Sequence, residues 1–158
     1  MTEPSRYPGY DVLAKRDTPS WNARTREAIA QRLATPNVPR FFDANTWAIA
    51  DALCRRILPQ PNEADPVPLV ALLDAKLLAN HGDGFREANM PYMREAWRRG
   101  LVAIDDEAKA RHGGRGFVIL TDAEQDALLR AMQSGEVNGD RWSGLDARTF
   151  FERRILVD

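Results

Sequence analysis

Apolar residues recur every three or four positions along most of this chain, which is the spacing of amphipathic helices. They stand at positions 47, 50, 54 and 57 in one segment and at 93, 97, 101, 104 and 108 in another. Prolines and glycines separate these segments, because neither residue continues a helix well. The pattern predicts helices over about 21–33, 43–58, 68–80, 91–109 and 121–134, and a sixth near the C-terminus. We therefore expect an all-α fold, an irregular bundle of about six helices.

Capping residues support several of these helix starts. Ser20 is a suitable N-cap for the first helix. Thr121 and Glu124 have the spacing of a capping box, which is the sharpest local signal in the chain. Ser143 and Asp146 indicate a weaker cap before the last helix. The apolar run at 117–120 is short enough for a strand but has no partner run, so we expect a buried extended segment there.

The first twenty residues are predicted to form an extended arm, with the helical domain spanning 21–158. Prolines at 4, 8 and 19 exclude a long helix. Tyr7, Tyr10 and Leu13 lie between them, and Trp21 follows, so one interpretation is an arm that binds a partner through these four residues. The other interpretation is a loose tail. At the other end, the chain stops at Asp158 within an apolar stripe, which indicates a truncated C-terminus.

Composition excludes some classes of function. The 158 residues include 22 basic and 23 acidic side chains, a net charge of -1 that gives no general attraction to nucleic acid. No apolar run approaches the length of a membrane-spanning helix, so direct membrane insertion is not expected. Residues 1–13 do not have the pattern of a signal peptide, which favours a cytoplasmic location.

Candidate catalytic and metal-binding residues are few. His81 and His112 each follow a predicted helix end beside a glycine, where the helix dipole accounts for them. Cys54 lies on an apolar stripe and is interpreted as a small core residue. The acidic run at 105–107 is interpreted as a solvated helix face. No dinucleotide or phosphate-binding fingerprint is present, so we expect no catalytic site, no metal and no cofactor in this chain.

Residues 41–59 read Phe-Phe-Asp-x-x-x-Trp-x-x-x-x-x-Leu-Cys-x-x-Ile-Leu-Pro, followed by a proline-rich connector and an apolar helix. This order, continued by the run at 117–120, Trp142 and the Phe150-Phe151 pair, resembles the gluconate 2-dehydrogenase subunit 3 family. The resemblance covers about residues 41–158, and the N-terminal Tyr-Pro-Gly-Tyr segment is similar to one branch of that family.

The resemblance implies a small non-catalytic accessory subunit that binds, stabilises and helps to mature a larger enzyme. That partner would be a FAD-dependent sugar or polyol dehydrogenase of the glucose–methanol–choline oxidoreductase type, with FAD held in the large subunit. A cytochrome c subunit accepts the electrons in many such complexes. Family members aid export, but residues 1–13 lack a twin-arginine signal, so a cytoplasmic complex is expected and a periplasmic, exported complex is the alternative. Two other classes stay open: a stand-alone helical binding or regulatory module, and a small helical enzyme.

Overall fold

The computed structural model describes residues 9–60, 66–80, 82 and 88–158. The chain is divided into two compact units, Met1–Pro36 and Asn37–Asp158. Helices and turns make up the regular structure, and no strand occurs in the described ranges. The predicted all-α class is therefore confirmed. The predicted division between an arm and a domain at residue 20 stays a prediction.

The first unit contains a 3-10 turn, Leu13–Lys15, followed by helix α1, Ala23–Leu33. The predicted N-cap of this helix, Ser20, is wrong. Asn22 caps α1, because its side-chain oxygen accepts the backbone N–H of Thr25 at 2.9 Å. Ser20 belongs to the preceding turn, where its backbone N–H donates to the hydroxyl of Thr18 at 3.3 Å.

The second unit carries the other helices. They are α2 (Ala44–Ile57), α3 (Leu69–Ala79), α4 (Met93–Arg111), α5 (Asp122–Ser134) and the short α6 (Ala147–Phe150), which continues as a π-helical turn, Phe151–Ile155. Two 3-10 turns, Phe117–Ile119 and Gly139–Trp142, join α4 to α5 and α5 to α6. The predicted helices at 43–58, 68–80, 91–109 and 121–134 are thus confirmed to within a few residues.

Helix α4 lies at the centre of this unit's core. All five residues of its predicted apolar stripe, at 93, 97, 101, 104 and 108, are buried. The ring of Trp97 meets that of Phe150 edge-on at 5.4 Å. Gly100 faces the same phenylalanine, and the space that a Cβ atom would need is filled by the Phe150 ring. A glycine at this position lets α6 pack directly against the backbone of α4.

Capping fixes where several helices begin. Asp43 accepts the backbone N–H of Thr46 at 2.8 Å at the start of α2. The capping box before α5 is confirmed: the Glu124 N–H donates to the Thr121 hydroxyl at 3.3 Å, and the Thr121 N–H donates to the Glu124 carboxylate at 2.8 Å. Asp146 caps α6, while Ser143 has a left-handed backbone with φ of 50°.

The sequence prediction for the connection between α4 and α5 is wrong. The run at 117–120 is a 3-10 turn, not an extended segment, and Ile119 is 67% exposed while Phe117 is fully buried. A tight turn places successive side chains on different sides, so only part of the run reaches the core.

The stripe predicted for α2 does face the core: Ala50 is fully buried, and Trp47, Cys54 and Ile57 pack against the core. Ile49 and Leu53 beside the stripe are also buried.

The acidic run at 105–107 is also not the solvated face that the sequence indicated. The Asp105 carboxylate accepts the Phe117 backbone N–H at 2.8 Å, in a buried position. Glu107 is 2% exposed and bonds with Arg111 at 2.7 Å and Arg141 at 3.2 Å. Asp106 alone is well exposed. These carboxylates anchor the connections on either side of α5.

Candidate partner-binding surfaces

An apolar groove runs between α2, α3 and the C-terminal turn of the second unit. Its volume is about 390 Å³. Apart from Asp158 its lining is apolar or sulfur-bearing and comes from four parts of the fold: Leu53, Cys54, Ile57, Leu58, Leu69, Leu72, Leu73, Trp97, Ile155, Leu156, Val157 and Asp158. We call it the C-terminal groove.

The rim of the C-terminal groove exposes large aliphatic side chains to solvent. Leu58 is 56% exposed, Leu156 is 53% exposed and Val157 is 62% exposed. Leu69 and Leu72 are only half-buried and form part of the lining. A contiguous exposed apolar surface of this kind is typical of a protein-binding site.

Among the described residues, the one charged residue that lines the groove, Asp158, has its partners within the chain. The side chain of Asp158 is fully enclosed, and its two oxygens accept from Lys76 at 2.7 Å and from the indole N–H of Trp97 at 2.8 Å. Arg154 lies 3.6 Å from the same carboxylate. Since this charge already has its partners, the groove offers a ligand mainly apolar contact.

Cys54 lies in the wall of this groove and is packed against the core, as the sequence indicated. Burial raises the pKa of its thiol to about 11. A thiol with so high a pKa is almost entirely protonated at neutral pH and is therefore a poor nucleophile. The side chain contributes volume and apolar surface to the groove.

A second surface surrounds the ring of Phe41, just before α2. The guanidinium carbon of Arg94 lies 4.9 Å from the ring centroid and that of Arg98 lies 4.4 Å from it. Three backbone N–H groups, of residues 40, 41 and 42, donate to the fully buried carboxylate of Asp74 at 2.9–3.1 Å. Asp74 thereby fixes the segment that presents Phe41. We call Phe41, Arg94 and Arg98 the arginine clamp.

The N-terminal residues proposed to bind a partner are only partly described. Tyr7 lies outside the described residues. Tyr10 is 63% exposed and Leu13 is 44% exposed, while Trp21 is 8% exposed. The ammonium group of Lys15 lies 5.9 Å from the centroid of the Tyr10 ring. Two of the four side chains are thus available at the surface, and their binding role stays a prediction.

The groups with acid–base or ligand chemistry have structural partners. Burial opposes ionisation of Glu107, but hydrogen bonds from Arg111 and Arg141 outweigh it and hold the pKa of that carboxyl below its usual value. His112 ends α4, with its Nδ1 atom 3.5 Å from the Glu124 carboxylate. His81 lies outside the described residues.

The described part of the chain offers neither a metal-binding cluster nor a membrane-spanning helix. Within it, no group of three or more His, Cys, Asp or Glu side chains is placed to hold a metal ion. None of its helices combines the length and the apolar character needed to cross a bilayer.

Sequence reasoning identified neither surface. The apolar residues at 155–157 line the groove, but in the sequence they were interpreted as an indication of a truncated C-terminus. Arg94 and Arg98 are four residues apart, which places them on one side of a helix. Phe41 was noticed for the resemblance only, because its proximity to those arginines depends on how the segment before α2 folds over α4.

Comparison with known proteins gives one match. The family model described as gluconate 2-dehydrogenase subunit 3 matches residues 44–156. No curated protein matches the chain, and no solved structure does. The matched region covers most of the chain. It includes α2 to α6, the two arginines of the clamp, and the lining of the C-terminal groove except Val157 and Asp158.

Proposed function

The chain belongs to the gluconate 2-dehydrogenase subunit 3 family, and from this we propose that it is a non-catalytic accessory subunit of a dehydrogenase complex. Its partner in this proposal is a large FAD-dependent sugar or polyol dehydrogenase of the glucose–methanol–choline type. The family match over residues 44–156 is the observation that carries the proposal. The large subunit holds FAD and performs the oxidation, and a cytochrome c subunit is a further candidate partner.

The C-terminal groove supports a binding role for this chain. Partner side chains that enter it would bury the exposed parts of Leu58, Leu156 and Val157, and each buried CH₂ group contributes about 0.8 kcal/mol. Most of the groove's lining lies on α2, α3 and α4, so little order has to be gained there on binding. A rigid apolar surface of this type also suits a subunit that stabilises its partner during maturation.

Co-expression tests the proposal. We expect a flavoprotein dehydrogenase produced together with this chain to give more soluble, flavin-loaded enzyme than the same dehydrogenase produced alone. Binding of the native state by a second chain stabilises it by mass action. Equal amounts of flavin-loaded enzyme with and without the chain would contradict the maturation role.

A matched pair of variants tests the role of the groove. Leu58→Asp introduces a charge at the rim, while Ile119→Asp makes the same kind of change at a similarly exposed position that does not line the groove. We expect Leu58→Asp to weaken dehydrogenase binding at least tenfold, because a carboxylate would have to be desolvated against apolar surface. Ile119→Asp is expected to bind like wild type; equal binding by both variants would exclude the groove as the contact.

Cytoplasmic assembly is part of this proposal, and export of the assembled complex is the alternative. Cell fractionation followed by detection of both subunits distinguishes them.

A further inference from the structure

The arginines of the clamp are held against an aromatic ring without losing their hydrogen-bond donors. Both guanidinium carbons lie over the Phe41 ring, and a phenylalanine ring has no oxygen or nitrogen acceptor that would occupy the arginine N–H groups. In the described part of the chain, neither Arg94 nor Arg98 forms an ion pair or a side-chain hydrogen bond. The Nε atom of Arg94 is buried and has no hydrogen-bond partner among the described residues.

The neighbouring arginine shows that counter-charges are available in this region. Arg99 forms an ion pair with Glu95 at 3.1 Å and donates to the carbonyl of Ser143 at 2.6 Å. Two like charges placed beside one ring with no carboxylate partner are electrostatically unfavourable. Burying an unsatisfied donor of Arg94 adds to that cost. An incoming anion would supply the missing counter-charge and so remove the first of these costs.

The clamp is built on rigid elements. Phe41 is held by the three N–H groups that Asp74 accepts, and its ring packs edge-on against the buried Phe42 ring at 5.2 Å. Arg94 and Arg98 lie one turn apart in the longest described helix. The donors are therefore positioned before a ligand arrives, which reduces the entropy lost on binding.

We propose that Phe41, Arg94 and Arg98 bind an aspartate or glutamate side chain of the dehydrogenase subunit. This inference rests on the proposed function. A carboxylate is the ligand because the planar, forked guanidinium group matches its two oxygens. A protein side chain is the source because exposed apolar surface lies near the clamp: Val102, 50% exposed, is one turn beyond Arg98 on the same side of α4, and Tyr92, 74% exposed, caps the start of that helix. Tyrosine and arginine are enriched among the residues that dominate protein interfaces.

The first experiment measures binding of the co-expressed large dehydrogenase subunit by titration. The test variant is Arg94→Gln/Arg98→Gln, and Arg98→Gln alone serves if the double variant unfolds, since Arg98 is exposed. Arg130→Gln is the matched control, because its side chain is 75% exposed and lies on α5. We expect at least a tenfold increase in Kd for the clamp variants, a weaker dependence on salt, and less than a twofold change for the control.

The second experiment identifies the carboxylate directly. Arg98→Lys keeps the positive charge and introduces an amine that a carbodiimide couples to an adjacent carboxylate, with an amide bond as the product. We expect mass spectrometry to find this amide between position 98 and an aspartate or glutamate of the dehydrogenase subunit.

The outcomes separate this inference from the proposed function. If the wild-type chain binds the dehydrogenase but the clamp variants bind equally well and no cross-link forms at position 98, the inference is overturned and the accessory role stands. If the wild-type chain does not bind the dehydrogenase at all, the proposed function fails and the inference fails with it.

Discussion

Replacing Asp74 by asparagine tests how the segment before α2 is held. The carboxylate of Asp74 is fully buried and accepts three backbone N–H groups, those of Arg40, Phe41 and Phe42. An aspartate is suited to this role because both of its oxygens accept hydrogen bonds. Asp74→Asn preserves the size of the side chain but leaves only one oxygen and adds two donors.

The expected loss in the free energy of unfolding is the sum of the changes in the three hydrogen bonds. In wild type, Oδ2 of Asp74 accepts the N–H groups of Phe41 and Phe42. If the amide oxygen of the asparagine takes this position, both hydrogen bonds change from charge-assisted to neutral, a loss of about 1 kcal/mol each. The N–H of Arg40 then faces the amide NH₂ group and loses its acceptor, which costs about 1 kcal/mol more. We expect Asp74→Asn to lower the free energy of unfolding by about 3 kcal/mol, or Tm by about 6–12 °C.

Urea unfolding followed by circular dichroism at 222 nm measures this loss. Asp106→Asn is the matched control, since that side chain is 51% exposed and lies 3.7 Å from Lys109. We expect it to change the free energy of unfolding by less than about 0.5 kcal/mol. A loss below about 1 kcal/mol for Asp74→Asn would refute the view that this carboxylate anchors the segment.

Further predictions concern packing, capping, pH and thiol reactivity. Gly100→Ala is expected to lower the free energy of unfolding by about 1–3 kcal/mol, because the added methyl group meets the ring of Phe150; unchanged stability would show that α6 can shift freely. Thr121→Ala is expected to cost about 1 kcal/mol in urea unfolding, because α5 loses its N-cap, and Thr121→Ser is expected to restore most of it. Hydrogen bonds from Arg115, and then from the Thr121 backbone, lower the pKa of Glu124 to about 2. The contribution of Glu124 is therefore complete above its ordinary pKa of about 4.5 and is lost as the pH falls towards 2, so Glu124→Gln should flatten the acid limb of the stability profile. Cys54, whose pKa is about 11, is expected to react with iodoacetamide at pH 8 far more slowly than a free thiol, and equal rates would contradict its burial.

Helix positions were predictable from this sequence because local signals agree with tertiary packing. The stripe of α4 alone contains enough large apolar residues to define its buried face, and the capping box of Thr121 fixes the start of α5. Propensity, apolar spacing and capping point to the same structure in these helices, as is usual for sequences with a well-defined fold.

Buried charges were not predictable, because their partners are distant in sequence. Glu107 looked solvated beside Asp105 and Asp106, yet it bonds with Arg141, which is 34 residues away. Asp74 lies in the middle of an apolar helix and accepts hydrogen bonds from backbone N–H groups more than thirty residues earlier in the chain. A periodic pattern records which face a residue lies on and carries no information about such a partner.

The candidate surfaces were hidden for a related reason. The C-terminal groove arises where the ends of α2 and α3 meet the turn at 151–155, so its lining is assembled from separate segments. The clamp requires Phe41 to lie over Arg94 and Arg98. Sequence analysis placed the binding residues in the N-terminal arm instead, and that assignment remains a prediction for Tyr7, Tyr10, Leu13 and Trp21.

The central claim is that this chain is a binding subunit of a flavin-dependent dehydrogenase. Size-exclusion chromatography of the co-expressed proteins, with absorbance recorded at 280 nm and 450 nm, tests it most directly. The account predicts one peak that contains both chains in a fixed ratio, with flavin absorbance that stays with the large subunit when the complex is dissociated. Elution of this chain apart from the dehydrogenase, or flavin that remains bound to this chain alone, would contradict it.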